Sequence, residues 1–345
     1  MFDIFRRLNN RIGLDIGATT IRIYSYGRDE IISEPSIIVY NRKRKVVAAG
    51  AEAEDMVGRT PKGITAMRPV KNGLAAEPQA LTDLLVNILD RNHITRAGVF
   101  KLKIDVCALY GLDDIEQTNI MKAVLGVGNV RATIVDKTLA AAFHEGYDGH
   151  SWDSMMLVNI GKDTSEAAVL SYGGVVSYKH INIGSGDIDQ GIINYLRRKY
   201  GMLISATTAE DIKKTLGNAC GSLENDSMLM FKAVDLASGM PRDMSVTAGE
   251  IQTCVDEVVK KIINMVETVK QKTPYELLAG IYDKGMTLTG GGSKLKGLEN
   301  LISVQTGIKA RLSKEPENGT VLGAIEAGQF MFQRRNIKKI SGRDR

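Results

Sequence analysis

The chain has 345 residues, enough to bury two cores, and 43% hydrophobic with 25% charged residues is the composition of a soluble globular protein. A net charge of +5 and 6% aromatic residues give no footprint for nucleic acid. No apolar run approaches the roughly 20 residues of a membrane span, and Cys107, Cys220 and Cys254 are spaced as reduced thiols of a cytoplasmic protein rather than as a metal site.

The first residues, Met1 to Leu8, are too short for a signal peptide and lack its charge-then-apolar order. On helical spacing Phe2, Ile4, Phe5 and Leu8 share a face, with Arg6 and Arg7 opposite. This reads as an interfacial anchor on anionic lipid, or as a short helix packed on the domain. So short a segment holds lipid only when many copies assemble.

Ile12 to Ile23 follows as strand, turn and strand. Apolar residues lead to Asp15, the small turn Gly17-Ala18-Thr19-Thr20 follows, and β-branched residues resume. Backbone amides and two Thr hydroxyls facing one point form an anion cradle. A carboxylate beside the cradle repels phosphate unless a divalent cation lies between them. Taken alone, the stretch is equally an ordinary hairpin.

Residues 31–40 and 46–49 read as strands joined by a solvated tip at 41–45. With a short helix at 52–58 they make a small β-rich insertion. Residues 78–92 form an amphipathic helix with Leu81, Leu84, Leu85, Ile88 and Leu89 inward. The loop 95–103 carries Val99 and Phe100 between cations, an exposed apolar pair or the start of the strand at 104–109. A helix at 115–125 and a strand at 131–135 lead through Asp136-Lys137-Thr138 into a helix at 139–145. Residues 146–154, with Trp152, cross to the second half. His93, His144, His150 and His180 share no ligand spacing.

The hairpin layout returns about 145 residues later as Asn159-Ile-Gly161-Lys162-Asp163-Thr164-Ser165-Glu166, an internal repeat. A strand at 175–183 precedes a helix at 188–200 opened by Gly184 to Asp189. A helix at 209–217 is capped by Thr207 to Asp211. Short strands follow, then a long amphipathic helix at 248–272 with N-cap Thr247. The turn Thr289-Gly290-Gly291-Gly292-Ser293 leaves bare backbone for a flat ring or a phosphate. A helix near 294–304, a strand at 308–312 and a helix at 320–331 end the pattern. Residues 333–345 read as a disordered basic tail.

Two Asp/Gly-type hairpins followed by Thr-Gly-Gly-Gly-Ser resemble the actin superfamily. Further stretches narrow the resemblance to the MreB family of bacterial actins: Glu34-Pro-Ser36, Gly58-Arg-Thr-Pro61, Arg68-Pro-Val-Lys71-Asn-Gly73, Leu139-Ala-Ala-Ala142, Ile192-Ile-Asn-Tyr195, Thr208-Ala-Glu-Asp-Ile-Lys213, Pro274-Tyr-Glu-Leu, Ile281 to Thr289 and Leu322-Gly-Ala-Ile. They stand in the family's order over nearly all of residues 10–330.

The resemblance implies an α/β actin-like fold of two related halves, each with a smaller subdomain, and a nucleotide cleft between them. It places subdomain IA at 1–31 and 67–145 with the helix 320–332 returning, IB at 32–66, IIA at 146–183 and 248–319, and IIB at 184–247. It implies ATP or ADP with Mg²⁺. Gly17, Ala18, Thr19 and Thr20 hold the β- and γ-phosphates, and Asp15 lies in the outer shell of the metal. Gly161, Lys162, Asp163 and Thr164 close over the same phosphates. Gly290, Gly291, Gly292 and Ser293 lie against adenine and the α-phosphate, while Glu210 and Lys213 reach ribose and base. It also implies head-to-tail filaments, single or paired, copolymers with MreB paralogues, and contact with the inner membrane surface through the N-terminus and the Val99–Phe100 loop.

Departures from the family pattern bear on turnover. Asn159 replaces an acid on the metal side, and Lys162 and Asp163 replace turn glycines. Asn72 stands where the family has Asp. Asp136-Lys137-Thr138 stands where a Glu-Glu-Pro stretch supplies the glutamate that orients the attacking water. Asp136 keeps a carboxylate, one methylene shorter, so slow ATP hydrolysis is expected, with Asp136 and Asp15 as the catalytic acids. Lys162 either supplies a cation to phosphate or pairs with Asp163. The alternatives are a hydrolysis-deficient paralogue that copolymerises with an active MreB, and a small-molecule kinase. A kinase needs insertions and a substrate base that this chain does not offer, and a chaperone ATPase needs a further peptide-binding domain.

Overall fold

A computed structural model describes residues 10–94, 101–221 and 227–340, with 335–340 as backbone alone. Phe2, Ile4, Phe5, Leu8, Val99 and Phe100 lie outside the described residues. The chain divides into two units. One takes the described residues up to His150 and again from Asn318, and the other is Ser151–Glu317.

In the first unit, strand Arg11–Ile16 pairs antiparallel with Thr20–Ser25, which pairs antiparallel with Glu30–Pro35. On its other side Arg11–Ile16 runs parallel to Leu102–Ala108, and that strand parallel to Val130–Asp136. The second unit has the same plan. Met155–Ile160, Ser165–Ser171 and Gly174–Ile181 form the antiparallel meander, and Met286–Thr289 and Ala310–Leu312 add in parallel. The repeat legible in the sequence is therefore a repeat of topology.

Parallel strands buried on both faces read as continuous apolar runs rather than alternating ones. Leu102–Ala108 is such a strand, with only Lys103 exposed. In helix Pro78–Arg91 the five positions Leu81, Leu84, Leu85, Ile88 and Leu89 are all buried. Burial of each contributes on the order of 1.5–3 kcal/mol. The helix Gly319–Ile340 lies against strand Arg11–Ile16, because a Cβ on Gly13 would sit 2.6 Å from the Val321 carbonyl oxygen. It crosses helix Lys137–His144 at Gly323, where a Cβ would overlap the Ala140 carbonyl.

The β-rich insertion is a three-stranded sheet of Ile38–Asn41, Val46–Ala49 and Ile64–Met67 over a small core of Ile37, Val39, Ala48 and Ala53. The second unit carries its own three-stranded sheet, Met202–Leu203, Met228–Asp235 and Pro241–Thr247.

Several boundaries differ from the sequence reading. The expected strand at 31–40 breaks at Pro35, and the two pieces join different sheets. The Ser36 amide turns back to donate to Thr19 O at 2.8 Å. The helix Ala206–Leu216 is capped by Ser205, whose Oγ accepts from the Thr208 amide, rather than by Thr207 to Asp211. A helix at Tyr275–Lys284 was not expected. Ile281 is its one buried residue, and Leu277 and Leu278 pack partly buried against the same core, an apolar stripe of a single turn. The final helix runs to Ile340, so 333–340 is helical rather than disordered. Adding turns to an existing helix avoids the cost of nucleation.

Candidate functional site

In the first unit the hairpin closes with the Gly17 amide donating to Thr20 O at 3.1 Å. Among the described residues the amides of Ala18 and Thr19 have no hydrogen-bond partner. Thr19 O is held from outside by the Ser36 amide and, at 3.4 Å, by Arg68. The parallel register sets Asp15 beside Cys107 and Cys107 beside Val135, with Asp136 one residue further on. Asp15 and Asp136 therefore stand at the carboxyl ends of two parallel strands that flank Leu102–Ala108, where open α/β sheets bind ligands.

Asp15 is buried, and so is Lys137, the first residue of the helix that follows Asp136. The Lys137 ammonium is 2.9 Å from Asp15 Oδ1, an ion pair rather than an aligned hydrogen bond. It also donates to the Ile16 carbonyl at 3.3 Å. Burial pushes the neighbouring Cys107 thiol well up, and Asp15 adds to the effect, so this cysteine stays protonated.

In the second unit the Gly161 amide donates to Thr164 O at 2.8 Å, and the amides of Lys162 and Asp163 have no partner among the described residues. The hairpin carbonyls face the other way. Gly161 O and Lys162 O accept from the Ser185 and Gly186 amides at the start of helix Ser185–Tyr200. Lys162 does not pair with Asp163. Its ammonium bonds Asp189 at 2.6 Å and Glu210 at 2.8 Å. Lys213 donates to Asp189 and to the Ser185 carbonyl. Glu210 also pairs with Lys214 at 2.9 Å.

Burial works against both lysines. At Lys162 two carboxylates outweigh it and hold the ammonium above its ordinary range, whereas at the more deeply buried Lys213 desolvation wins and the shift is downward. Burial also opposes ionisation of Glu210, but hydrogen bonds from Lys162 and Lys214 prevail and bring it down to about 2.

The third glycine cluster forms a tight turn at Gly291–Lys294. A Cβ on Gly290 would meet Asn159 Oδ1 at 2.5 Å, and one on Gly292 would meet Ile160 at the same distance. These two glycines are required by the packing of the unit itself. Gly291 has nothing nearer than the Glu317 side chain at 3.8 Å and presents open backbone. Ser293 turns inward and donates to Gly290 O.

Asn72 has a turn role. With φ of +51°, and Gly73 at +74°, it makes the Asn-Gly corner between Val70–Lys71 and Leu74–Ala75.

The donor set fits an anion in each hairpin, since the open amides point to no protein acceptor. It does not fit a divalent cation. Asp15 already faces an ammonium, Asn159 brings no charge, and no cluster of three or more His, Cys, Asp or Glu side chains is present among the described residues. Three residues that matter here escaped the sequence reading. Lys137 is read there only as a departure, Asp189 only as a helix cap, and Glu166 only as part of the repeated hairpin.

Comparison with known proteins accounts for the shared plan. A family model described as MreB/Mbl protein matches residues 9–336. The cell shape-determining protein MreB of Escherichia coli K12 is 32% identical over 313 residues, covering 89% of this chain and 90% of that one. Mbl of Bacillus subtilis 168 is 30% identical, covering 90% and 93%. The structure of MreB5 of Spiroplasma citri bound to ADP superposes with a TM-score of 0.82 at 25% identity, covering 96% and 98%. A MamK double helical filament shares the fold at a TM-score of 0.77 and 15% identity, covering 92% and 99%. The chain has the actin-like fold and belongs to the MreB/Mbl family.

Proposed function

We propose that this chain is a cytoskeletal bacterial actin that binds ATP or ADP, assembles head to tail into filaments, and hydrolyses ATP slowly. The observation that carries the reading is the repeated cradle, with unpartnered amides at Ala18 and Thr19 in one unit and at Lys162 and Asp163 in the other. Such amides bind phosphate oxygens. The S. citri MreB5 structures with ADP and with AMPPNP support a nucleotide as ligand. The E. coli and B. subtilis relatives, both named cell shape-determining proteins, support a cytoskeletal role. A head-to-tail contact that does not close into a ring generates a filament. Phe2, Ile4, Phe5, Leu8, Val99 and Phe100 bring it to the inner membrane surface, and MreB paralogues are its further partners.

A second reading, a structural copolymer without turnover, is favoured by the Lys137–Asp15 pair, which holds an ammonium against one of the two acids expected to serve hydrolysis. Phosphate release measured beside pelleting, with and without ATP, decides between them. Slow release with ATP-dependent pelleting supports the first reading. A variant carrying Asn159→Asp, Asp136→Glu, Lys162→Gly and Asp163→Gly then releases phosphate at least tenfold faster, about 1.4 kcal/mol of barrier. If the unmodified protein already matches that variant, the departures do not limit turnover. No release from an ATP-bound filament selects the copolymer.

A further inference from the structure

We propose that Lys137 stands in for the divalent cation, so that this protein binds nucleotide phosphates without a metal. The inference rests on the nucleotide reading above and concerns what balances the charge of its ligand.

Asp15 is nine-tenths buried at the end of strand Arg11–Ile16, directly before the hairpin whose amides of Ala18 and Thr19 are open. A carboxylate so placed opposes any phosphate docking on those amides, and burial strengthens the repulsion because less water screens it. A bound cation is the ordinary remedy. Here the Lys137 ammonium occupies that position, 2.9 Å from Oδ1, and is anchored by the Ile16 carbonyl one residue before the turn. The side chain is itself buried and grows from the first residue of helix Lys137–His144. That is the wrong end of a helix for a cation, because the amide dipoles there carry positive charge. Local helix preference therefore does not explain a lysine at this position, whereas compensation of Asp15 does.

The second unit follows the same logic. Residue 159, an acid in the family pattern, is an amide and asks for no counter-ion, and the Lys162 ammonium of the same hairpin is held by Asp189 and Glu210. A tethered ammonium also has a high effective concentration and needs no divalent ion from solution. Lysine is an established point-charge partner for phosphate.

The test is ATP binding by equilibrium dialysis in excess Mg²⁺ and in EDTA. The unmodified protein is expected to bind equally in both, within about threefold. Binding in Mg²⁺ but not in EDTA overturns this inference and leaves the nucleotide reading standing. Binding in neither overturns both. Lys137→Met strips Asp15 of its partner and is expected to lose at least tenfold in EDTA and to recover with Mg²⁺. Undiminished binding in EDTA by this variant removes Lys137 from the argument. If Lys137→Met does not fold, the double variant Asp15→Asn/Lys137→Met removes both charges of the pair. It is expected to bind ATP alike in Mg²⁺ and EDTA, and a divalent requirement in it overturns the inference.

Discussion

Asn159 and Glu166 are register partners across the second hairpin, and the Asn159 side-chain amide donates to Glu166 Oε1 at 3.0 Å. Glu166 is fully buried, and its other oxygen accepts from the Tyr178 hydroxyl at 3.0 Å. The amide at 159 is thus a donor that a buried carboxylate depends on. Asn159→Asp replaces that donor with a second carboxylate directly opposite the first. Losing the bond and adding the repulsion costs about 1–3 kcal/mol. Thermal unfolding of this variant in EDTA shows a lowered midpoint, and added Mg²⁺ restores part of it. A midpoint equal to that of the parent in EDTA would show that the pair contributes nothing.

The Lys162–Glu210 pair sets an acid limit on the second unit. Glu210 ionises at about 2 in the folded chain against an ordinary value of 4.5. A depressed folded value means stability that is present above pH 4.5 and lost as pH falls toward 2. The Glu210 side chain is 35% exposed, so solvent screening holds the contribution to about 1 kcal/mol or less. Lys162→Met leaves Glu210 with the Lys214 pair and the charge of Lys213. Its melting temperature should fall less steeply with acidification across this window than that of the parent. Parallel curves would remove Lys162 as the cause.

Neighbouring glycines in the third cluster separate folding from binding. Gly292→Ala drives a methyl into Ile160 and costs about 1–3 kcal/mol of stability. Gly291→Ala meets open space, so its melting temperature stays near that of the parent while ATP affinity drops, because the methyl stands where the ligand approaches bare backbone. Unchanged affinity in folded Gly291→Ala would place the nucleotide elsewhere.

Membrane attachment is tested outside the described residues. Deleting residues 1–9 together with Val99→Ser and Phe100→Ser abolishes co-sedimentation with anionic liposomes if Phe2, Ile4, Phe5, Leu8 and the 99–100 pair form the anchor. Retained binding by the truncated, substituted protein refutes the anchor. Loss on raising salt alone would instead assign the contact to Arg6 and Arg7.

The hairpins were legible because their signal is local. Apolar residues, one polar residue, a small turn and β-branched residues specify a strand pair within about a dozen positions. Their duplication then exposed the two-unit plan. The partners of Asp15 and Lys162 were not legible, because both are long-range. Lys137 reaches Asp15 from 122 positions away and passes as an ordinary helix start, while Asp189 presents itself as a cap. The same limit hid the purpose of Gly290 and Gly292. A run of three glycines shows that backbone is bare, and only the packed unit shows which of the three faces Asn159 or Ile160 and which faces outward.

The way the first unit is assembled from two ends of the chain has a consequence for biosynthesis. Strand Arg11–Ile16 emerges early, but the helix that covers Gly13 begins only at Gly319. The Cys107 thiol likewise waits for the Thr320 carbonyl it donates to. Throughout translation of Ser151–Glu317 that sheet has an uncovered apolar face, while the second unit is an unbroken segment that can close on its own. Maturation on the ribosome therefore runs backwards relative to chain order, with the unit that starts second finishing first. Val321 and Ile325 reach Tyr24 only after the whole second unit has been made.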